Sequence, residues 1–422
     1  MLTLQIIREK PEEVIRGLEK KGFKETGLIA RLQEIDSERR KIQKQLEEVK
    51  ARSNQIAKEI GALFKEGKKE EAENLKVETG TLKQKEKLLG EELENREKEQ
   101  NNLLVMLPNL PYELVKPGKS AEDNEVVFEW GKIPDLGNSA LPHWDLAKKF
   151  DLIDFETGVK LTGAGFPVYK GKGARLQRAL INYFLDRATA AGYHEVQPPI
   201  LVNEDSGFGT GQLPDKEGQM YFVGQDNLYL IPTAEVPITN IYRDEIVPEE
   251  KLPIRNCGYT PCFRREAGSY GKDVRGLNRL HQFDKVEIVQ ITLPEHSYTA
   301  LEEMREYVAS LIQDLGLTFR TLRLCGGDMS FASAMTYDME VYSGAQKRWL
   351  EVSSVSNFES FQSNRLKLRC KSKEGKPRLA HTLNGSALAL PRIVAALLEN
   401  NQTPDGINIP KVLIPYTGFD KI

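Results

Sequence analysis

The sequence predicts an α+β protein in which an antiparallel two-helix coiled-coil arm precedes a domain with an antiparallel β-sheet and flanking helices. Three observations predict this. A heptad pattern runs through residues 27–106, a proline-rich stretch follows at 108–117, and strand-like segments separated by long loops fill much of the remainder. We therefore expect an N-terminal domain over 1–107, a linker over 108–117 and a second domain over 118–422.

The composition is typical of a soluble globular chain with more than one domain. The chain has 422 residues, of which 40% are hydrophobic and 29% are charged, and its formal net charge is -3. A chain of this length usually forms more than one core. No apolar run approaches the ~18 residues of a membrane-spanning helix, and the first ten residues do not have the pattern of a signal peptide, so we expect no membrane association.

The cysteines point to a reducing compartment. Four cysteines are too few for a disulfide framework in so long a chain. Cys257 and Cys262 are close enough to form half of a metal site, but no second thiol pair or histidine cluster lies near them in the sequence. Free thiols are the simpler interpretation, which favours a cytoplasmic location.

The heptad pattern is strongest over residues 28–63. Apolar positions there alternate at spacings of four and three for about five repeats, with breaks at Arg39 and Ser53. A break containing Gly61 and Gly67 follows. The first seam comprises Leu28, Leu32, Ile35, Ile42, Leu46, Val49, Ile56, Ile60 and Leu63. The second, weaker seam comprises Leu75, Leu82, Leu89, Leu93 and Leu103, with interruptions at Thr79, Glu86, Arg96 and Gln100.

Two helices joined by a short glycine-containing turn can close as an antiparallel hairpin. Such an arm would be on the order of 55–60 Å long at ~1.5 Å per residue. Heptads more often serve dimerisation, but the break in the middle of the segment favours pairing within one chain. The lysines and arginines of the arm suit a phosphate backbone, whereas the neighbouring glutamates are equally typical of a solvated charged face.

The second domain mixes helices and strands. The clearest segments are helices over 175–191 and 388–399, and strands over 228–231, 286–292, 337–341 and 348–355. Strands that are close in sequence with long loops between them favour a mostly antiparallel sheet with helices packed against it. Neither a P-loop nor a GxGxxG motif after a strand is present.

The stretch from Phe263 to Asp273, with Phe283 after it, has the composition of a nucleotide site. Arg264 and Glu266 are two residues apart, so on a strand they would share one face. A glycine-rich charged turn follows at 267–273, and the returning strand carries Phe283. These residues offer a cation for a phosphate, a carboxylate for an amine or a metal, and a ring for a base. A surface ion pair between Arg264 and Glu266 is the structural alternative.

Glu287 lies between Val286 and Ile288 in a predicted strand, where a carboxylate is costly unless it is paired. A buried arginine would satisfy it, and a substrate ammonium group fits equally well. On a strand, Phe283 and Glu287 share a face, which favours a ligand pocket over an ordinary core position for Phe283.

Two short motifs offer further polar groups. Thr233 and Glu235 would share a strand face and present a hydroxyl and a carboxylate to one ligand. A simple turn is the alternative, because Thr-Ala-Glu is common by chance. The sequence from Asn384 to Ser386 is predicted to be a turn that carries Ser386.

Three motifs in this order resemble motifs 1, 2 and 3 of class II aminoacyl-tRNA synthetases. They are Glu195 to Leu201, Phe263 to Glu266, and Gly385 to Arg392. The tripeptide Thr233 to Glu235, the segment Glu351 to Ser354 and the Asn384 to Ser386 motif narrow the resemblance to bacterial-type seryl-tRNA synthetases. The helical arm also belongs to the plan of that family, and the resemblance extends over essentially the whole chain.

The resemblance implies activation of L-serine with ATP to seryl-adenylate and pyrophosphate, followed by transfer of serine to the 3'-terminal adenosine of tRNA. Arg264 is implied as a catalytic residue at the α-phosphate and the attacking carboxylate, and Arg392 as one at the γ-phosphate. The implied ATP-binding residues are Arg264, Arg265, Glu266, Leu280, Phe283, Glu351, Val352, Ser353, Ser354 and Arg392. The implied serine-binding residues are Thr233, Ala234, Glu235, Glu287 and Ser386.

The resemblance further implies that Glu351 and Ser354 hold Mg²⁺ on the ATP phosphates. These two residues are three positions apart, so on a regular strand they would face opposite ways. A bulge or a strand end is therefore expected between them.

The implied partners are tRNA(Ser) and also tRNA(Sec), with the arm reaching tRNA bound across a homodimer that forms through motif 1. Two alternatives differ in class. One is a synthetase-like paralogue that loads an amino acid onto a carrier protein, although such proteins tend to lack the arm. The other is a non-catalytic nucleic-acid-binding protein with the same fold, against which the joint presence of Arg264, Glu351 and Arg392 argues.

Overall fold

The computed structural model describes residues 1–137, 139–215, 218–266 and 275–422. These residues form two compact units. The first unit contains residues 1–19 and 23–108, and the second contains residues 20–22 and 109–422. No helix in the described ranges combines the length and the apolar character that crossing a membrane requires.

The first unit consists of two short helices and two long ones. They are α1 (Leu4–Glu9), α2 (Pro11–Lys20), α3 (Leu28–Lys65) and α4 (Lys69–Met106). The long helices have 38 residues each, which is about 57 Å at ~1.5 Å per residue. Ile42, Leu46 and Val49 of α3 pack with Leu89 of α4. This packing confirms the predicted hairpin, in which the two helices pair within one chain rather than with a second chain.

The turn between α3 and α4 is shorter than the sequence predicted. Gly67 adopts a φ of +77°, a left-handed conformation that glycine accepts without strain. Gly61 was predicted to lie in the same break, but α3 continues through it. A glycine inside a helix costs only about 1 kcal/mol, which the packing of a long helix outweighs.

Polar contacts explain two interruptions of the heptad seams. Asp36 is buried, and its carboxylate lies 3.1 Å from Arg8 Nε and 3.3 Å from Arg39 Nη2. Gln100 of α4 is also buried and donates a hydrogen bond to Asp36 Oδ1 at 3.4 Å. Arg39 and Gln100 therefore stand at seam positions because they pair with a buried carboxylate.

The second unit contains short and long helices and several sheets. Its helices are α5 (His143–Lys149), α6 (Phe155–Leu161), α7 (Gly171–Ala190), α8 (Glu204–Thr210), α9 (Glu235–Asn240), α10 (Ser297–Asp314), α11 (Phe361–Leu366), α12 (Leu390–Asn400) and α13 (Ile414–Thr417). Its strands are β1 (Glu125–Trp130), β2 (Ile153–Asp154), β3 (Val168–Tyr169), β4 (His194–Glu195), β5 (Leu201–Val202), β6 (Phe222–Val223), β7 (Leu228–Leu230), β8 (Ile246–Pro248), β9 (Ile254–Phe263), β10 (Gln282–Thr292), β11 (Phe319–Arg323), β12 (Met335–Ser343), β13 (Arg348–Asn357), β14 (Arg369–Lys371), β15 (Arg378–Leu379), β16 (His381–Ala389), β17 (Gln402–Thr403) and β18 (Gly406–Ile407).

The main sheet has the strand order β1-β11-β12-β13-β16-β10-β9-β4. Its neighbours pair antiparallel except β4 and β9, which run parallel. Buried side chains of α7, α10 and α12 cover this sheet, including Phe184, Met304 and Ile393. This arrangement confirms the predicted antiparallel sheet with flanking helices.

The predicted elements of this unit are present, with shifted ends. The predicted strands over 286–292, 337–341 and 348–355 lie within β10, β12 and β13. The helix predicted over 388–399 begins two residues later as α12, because Leu388 and Ala389 still belong to β16.

Candidate active site

Strand β10 presents Phe283, Lys285 and Glu287 on one face. The pairing of β10 with β9 is regular throughout, with Phe283 opposite Cys262 and Glu287 opposite Gly258. Side chains two and four residues apart on a regular strand point the same way. The predicted shared face of Phe283 and Glu287 is therefore confirmed.

Ser386 lies opposite Glu287 on the neighbouring strand. The two residues are Cα partners in the β10–β16 pair, next to a register shift between Lys285 and Glu287. The predicted turn from Asn384 to Ser386 is wrong, since these residues continue β16. Sheet pairing on both sides of β16 overrides the local turn preference of an Asn-Gly-Ser sequence.

Thr233 and Glu235 were predicted to share a strand face, but they do not lie on a strand. Glu235 begins α9, and its N–H donates to Thr233 Oγ1 at 3.2 Å. The hydroxyl satisfies an N–H of the first turn, and Pro237 is tolerated early in a helix because its missing N–H would lack a partner there. Ala234 is fully buried, so its side chain packs into the protein.

Lys285 completes this cluster and was missed in the sequence. Its Nζ donates to Thr233 Oγ1 at 2.8 Å and lies 2.6 Å from Glu287 Oε2, and all three residues are buried. A signal was available, because a lysine two residues before a glutamate on a strand shares its face. The contact with Thr233, far away in sequence, could not be read from that spacing.

The cluster carries more negative than positive charge. Burial, and after it the charge of Glu287, raises the pKa of Glu235 to about 7. Gln362 Nε2 donates to Glu235 Oε1 at 2.6 Å and opposes this rise. Although Lys285 is close, Glu287 Oε2 makes no directed hydrogen bond within the described residues. Because two carboxyl groups lie beside a single lysine, the cluster can bind a further cation, such as an ammonium group.

Arg264 lies just beyond the end of β9 rather than on a strand face with Glu266. Its guanidinium carbon is 5.2 Å from the centroid of the Phe283 ring, and its Nε donates to Pro232 O at 3.4 Å. Glu266 adopts a φ of +49° and pairs with Arg279. The strand assignment was wrong because β9 stops at Phe263. The alternative of an Arg264–Glu266 ion pair is also absent from the described residues.

Arg265 and Leu280 are two further predicted ATP-binding residues. The Arg265 N–H donates to Gln219 O at 2.8 Å, and its guanidinium carbon lies 5.7 Å from the centroid of the Tyr221 ring. The Leu280 side chain is buried in the core. The predicted glycine-rich turn from residue 267 falls on 267–274, outside the described residues.

A β-bulge brings Glu351 and Ser354 beside one carboxylate. The pairing of β12 with β13 shifts so that Glu340 is opposite Glu351 whereas Met339 is opposite Ser353, which confirms the expected irregularity. Both Glu351 and Ser354 interact with Asp338. The side chain of the extra residue, Val352, is buried, and Ser353 Oγ donates to Ser386 O at 2.6 Å.

Asp338 shows that this position suits a cation. Burial, and after it the charge of Glu351, raises the pKa of Asp338 well above its ordinary value. Asp338 Oδ1 is buried and has no hydrogen-bond partner among the described residues. No group of three or more histidine, cysteine or carboxylate side chains in the described ranges is arranged to hold a metal by itself.

Arg392 lies in the first turn of α12, where the helix dipole is unfavourable for a cation. Its Nη1 donates to Glu351 O at 2.7 Å and lies 3.6 Å from Glu351 Oε2. Its Nε donates to Asn278 O at 3.0 Å. Two carbonyls and a carboxylate therefore fix the guanidinium beside the Glu351–Ser354 bulge.

Two family models match the chain. The model described as the seryl-tRNA synthetase N-terminal domain matches residues 1–111, and the tRNA synthetase class II core domain (G, H, P, S and T) matches residues 221–401. Six of the eight strands of the main sheet, together with Arg264 and Arg392, lie within the residues that the core model matches. The fold and these matches thus define a class II aminoacyl-tRNA synthetase.

Full-length relatives narrow this class. The serine–tRNA ligase of Salinibacter ruber is 53% identical over 424 residues, with 100% of this chain and 99% of that protein covered. The Leptospira biflexa serine–tRNA ligase is 46% identical, with 99% and 100% covered. The crystal structure of seryl-tRNA synthetase from Pyrococcus horikoshii complexed with ATP matches with a TM-score of 0.93 and 33% identity over 100% of this chain and 99% of that one. The chain belongs to the seryl-tRNA synthetase family.

Proposed function

We propose that this chain is a serine–tRNA ligase, which activates L-serine with ATP and transfers it to tRNA(Ser). One observation carries the choice of amino acid. Buried Glu235 and Glu287 surround Lys285, with Ser386 directly across the sheet from Glu287. Lys285 and Glu287 of this proposed amino-acid pocket lie on the same strand as Phe283, whose ring contacts Arg264.

In this pocket Glu287 receives the ammonium group of serine, and Thr233, Glu235 and Ser386 surround the rest of the substrate. The pocket selects serine over alanine because alanine has no hydroxyl and would leave buried polar groups of the pocket without partners. Threonine is excluded by size, which is a weaker discriminator.

Adenylation needs charge stabilisation and in-line positioning more than side-chain proton transfer. A serine carboxylate oxygen attacks the α-phosphorus, the bond from that phosphorus to the bridging oxygen breaks, and pyrophosphate leaves. Arg264 presents its planar guanidinium to the α-phosphate and the carboxylate, and Arg392 faces the γ-phosphate. Phe283 stacks on the adenine ring, a contact worth about 1–3 kcal/mol.

The residues of the β13 bulge fit Mg²⁺. Glu351 and Ser354 supply hard oxygen ligands, and the unpartnered Asp338 Oδ1 adds a further acceptor beside them. Two protein ligands are sufficient because Mg²⁺ is commonly completed by substrate phosphates and water. Bound Mg²⁺ would neutralise charge on the phosphates during adenylation.

The arm and the dimer complete the proposal. The α3–α4 arm contacts tRNA. The tRNAs that accept serine include tRNA(Sec) as well as tRNA(Ser). The enzyme is a homodimer in the cytoplasm. A cavity lies in the motif 1 region, where we propose that the second copy packs. It lies between α7 and β4 and is lined by Gln177, Arg178, Ile181, Leu185 and Glu195 among others.

Pyrophosphate exchange tests the activity. Purified protein with Mg²⁺ should exchange labelled pyrophosphate into ATP only when L-serine is present, and it should then charge tRNA(Ser). Exchange that is independent of the amino acid, or no exchange, would refute adenylation of serine. Exchange without charging of tRNA would favour the carrier-protein alternative.

A further inference from the structure

His143 is a fully buried histidine outside the substrate pocket. Its Nε2 lies 2.8 Å from the Leu277 N–H, and its Nδ1 lies 2.7 Å from Glu399 Oε1. A backbone N–H can only donate, so Nε2 accepts and Nδ1 carries the hydrogen that is donated to Glu399. The ring is thus fixed in a single tautomer between a carboxylate and a backbone amide.

Glu399 is the centre of a closed polar network at the end of α12. Its Oε1 also accepts from the His143 N–H at 3.0 Å and from Gln346 Nε2 at 2.9 Å, and its Oε2 accepts from Ser343 Oγ. Burial alone would raise the pKa of Glu399, but the hydrogen bonds from His143 and Ser343 lower it overall. The carboxylate is therefore charged and fully hydrogen-bonded without exposure to water.

The same network reaches the other end of α12 through two consecutive residues. Asn278 Nδ2 donates to Gln346 Oε1 at 3.0 Å, and Asn278 O accepts from Arg392 Nε at 3.0 Å. Leu277 and Asn278 follow residues 267–274 in the chain. The amide of Leu277 is held by His143, and the carbonyl of Asn278 holds Arg392.

We propose that His143 is a positioning residue for Arg392, because it fixes the Leu277–Asn278 backbone on which that arginine rests. The inference depends on the proposed function, in which Arg392 faces the γ-phosphate. Without the Nε2 acceptor, the Leu277 N–H is buried and unpaired, and the segment moves to find another partner. Arg392 then loses one of the carbonyls that orient it, and ATP binding weakens while serine binding does not.

Two substitutions separate the two sides of the imidazole. In His143→Gln the amide oxygen can reach the position of Nε2 and accept from Leu277. In His143→Asn the shorter amide can reach only the position of Nδ1, so it keeps the contact with Glu399 and leaves Leu277 unpaired. Ser343→Ala is the control for a general loosening of the network, because it removes the hydroxyl that bonds Glu399 Oε2 and the Gln346 N–H but leaves the contact between His143 and Leu277 in place.

The measurements are KM for ATP and for serine in pyrophosphate exchange, ATP affinity by calorimetry, and the melting temperature of the unliganded protein. We expect His143→Asn to raise KM and Kd for ATP about tenfold or more with an unchanged KM for serine. His143→Gln should stay within about threefold of the wild type for ATP. Ser343→Ala should lower the melting temperature without changing ATP affinity.

Three outcomes would overturn the inference. The first is a His143→Asn protein that binds ATP as tightly as the wild type. The second is a pair of histidine variants that lose affinity for ATP and for serine equally. The third is a Ser343→Ala protein whose melting temperature falls and whose affinity for ATP falls with it. The calorimetric measurement does not require exchange activity. A wild-type protein that binds ATP but fails serine-dependent exchange would refute the proposed function and leave the role of His143 measurable.

Discussion

Glu287 of β10 and Ser386 of β16 are directly opposite residues in the main sheet. The proposed amino-acid pocket is therefore built across two paired strands, which hold its walls at a fixed separation of ~5 Å. Lys285 shares the face of Glu287, and Thr233 and Glu235 reach the same cluster from the start of α9 and the residues just before it. The pocket depends on a rigid sheet for its width and on a single lysine for its charge balance.

Lys285→Met should impair serine use and stability together. Removal of one partner of a buried ion pair costs about 3–5 kcal/mol of unfolding free energy, because the other charge stays buried. The Thr233 hydroxyl also loses its donor. We expect kcat/KM for serine to fall by on the order of 10², with little change in KM for ATP.

Lys285→Arg is the matched control, since it keeps the charge in a larger group and should lose less activity than the methionine variant. Serine kinetics by pyrophosphate exchange and urea denaturation give the two readouts. An unchanged kcat/KM for serine in Lys285→Met would remove this lysine from the pocket.

Serine binding should release a proton just below neutral pH. Burial and the charge of Glu287 raise the pKa of Glu235 to about 7, so part of the unliganded protein has a neutral Glu235 at pH 6.5. The serine ammonium favours the ionised form and lowers this pKa, so binding at that pH releases up to about one proton. Affinity for serine should accordingly weaken as the pH falls below 7.

Calorimetry of serine binding in buffers with different ionisation enthalpies measures this release. Glu235→Gln should abolish it. The raised pKa of Glu235 also makes the free energy of unfolding depend on pH. A raised folded-state pKa means that the contribution of this carboxyl to stability is present below pH 4.5 and is lost as the pH rises to about 7. Serine binding with no proton uptake or release between pH 6 and 7 would contradict the assignment.

The spacing of residues along the sequence predicted those parts of the structure that lie on a single strand or helix. The shared face of Phe283 and Glu287 followed from the two-residue repeat of a strand, and the irregularity between Glu351 and Ser354 followed from their odd separation. The heptad spacing predicted the arm in the same way. Each of these inferences uses the geometry of a regular helix or strand, and the one about Glu351 and Ser354 also used the shared Mg²⁺ role that the family resemblance implies.

Contacts between distant elements were not predictable from local pattern. Asn384 to Ser386 has the sequence of a turn, yet β16 continues through it because two neighbouring strands pair with it. A Cβ on Gly385 would lie 3.3 Å from Val355 Cγ2, so the glycine permits close packing within the sheet rather than a turn. The contact of Lys285 with Thr233 likewise joins a strand to the start of a helix.

Truncation of the arm should separate amino-acid activation from tRNA charging. Arg96 Nε lies 3.3 Å from Glu38 Oε2, so the two helices are close enough there to be joined by a short turn. Residues 41–93 can be replaced by Gly-Ser-Gly, which keeps the buried contact between Asp36 and Gln100. We expect normal serine-dependent exchange and a loss of tRNA(Ser) charging of at least 10²-fold, on the order expected when several phosphate contacts are lost.

Circular dichroism and a thermal melt of the truncated protein should show that the remainder is folded. The exchange reaction serves as the internal control, because the proposed adenylation site lies in the second unit. Charging at the wild-type rate would show that the arm is dispensable for tRNA recognition.

Arg264→Ala should reduce activation without a matching loss of stability. In the described residues Arg264 has no ion pair, and its contacts are the Phe283 ring and a 3.4 Å hydrogen bond from Nε to Pro232 O. Loss of a preorganised transition-state donor typically lowers kcat by about 10²–10³. Arg264→Lys should recover part of the rate, because it keeps the charge but loses the planar fork. Single-turnover adenylate formation and a thermal melt measure the two effects, and near-normal adenylate formation in Arg264→Ala would exclude this arginine from the reaction.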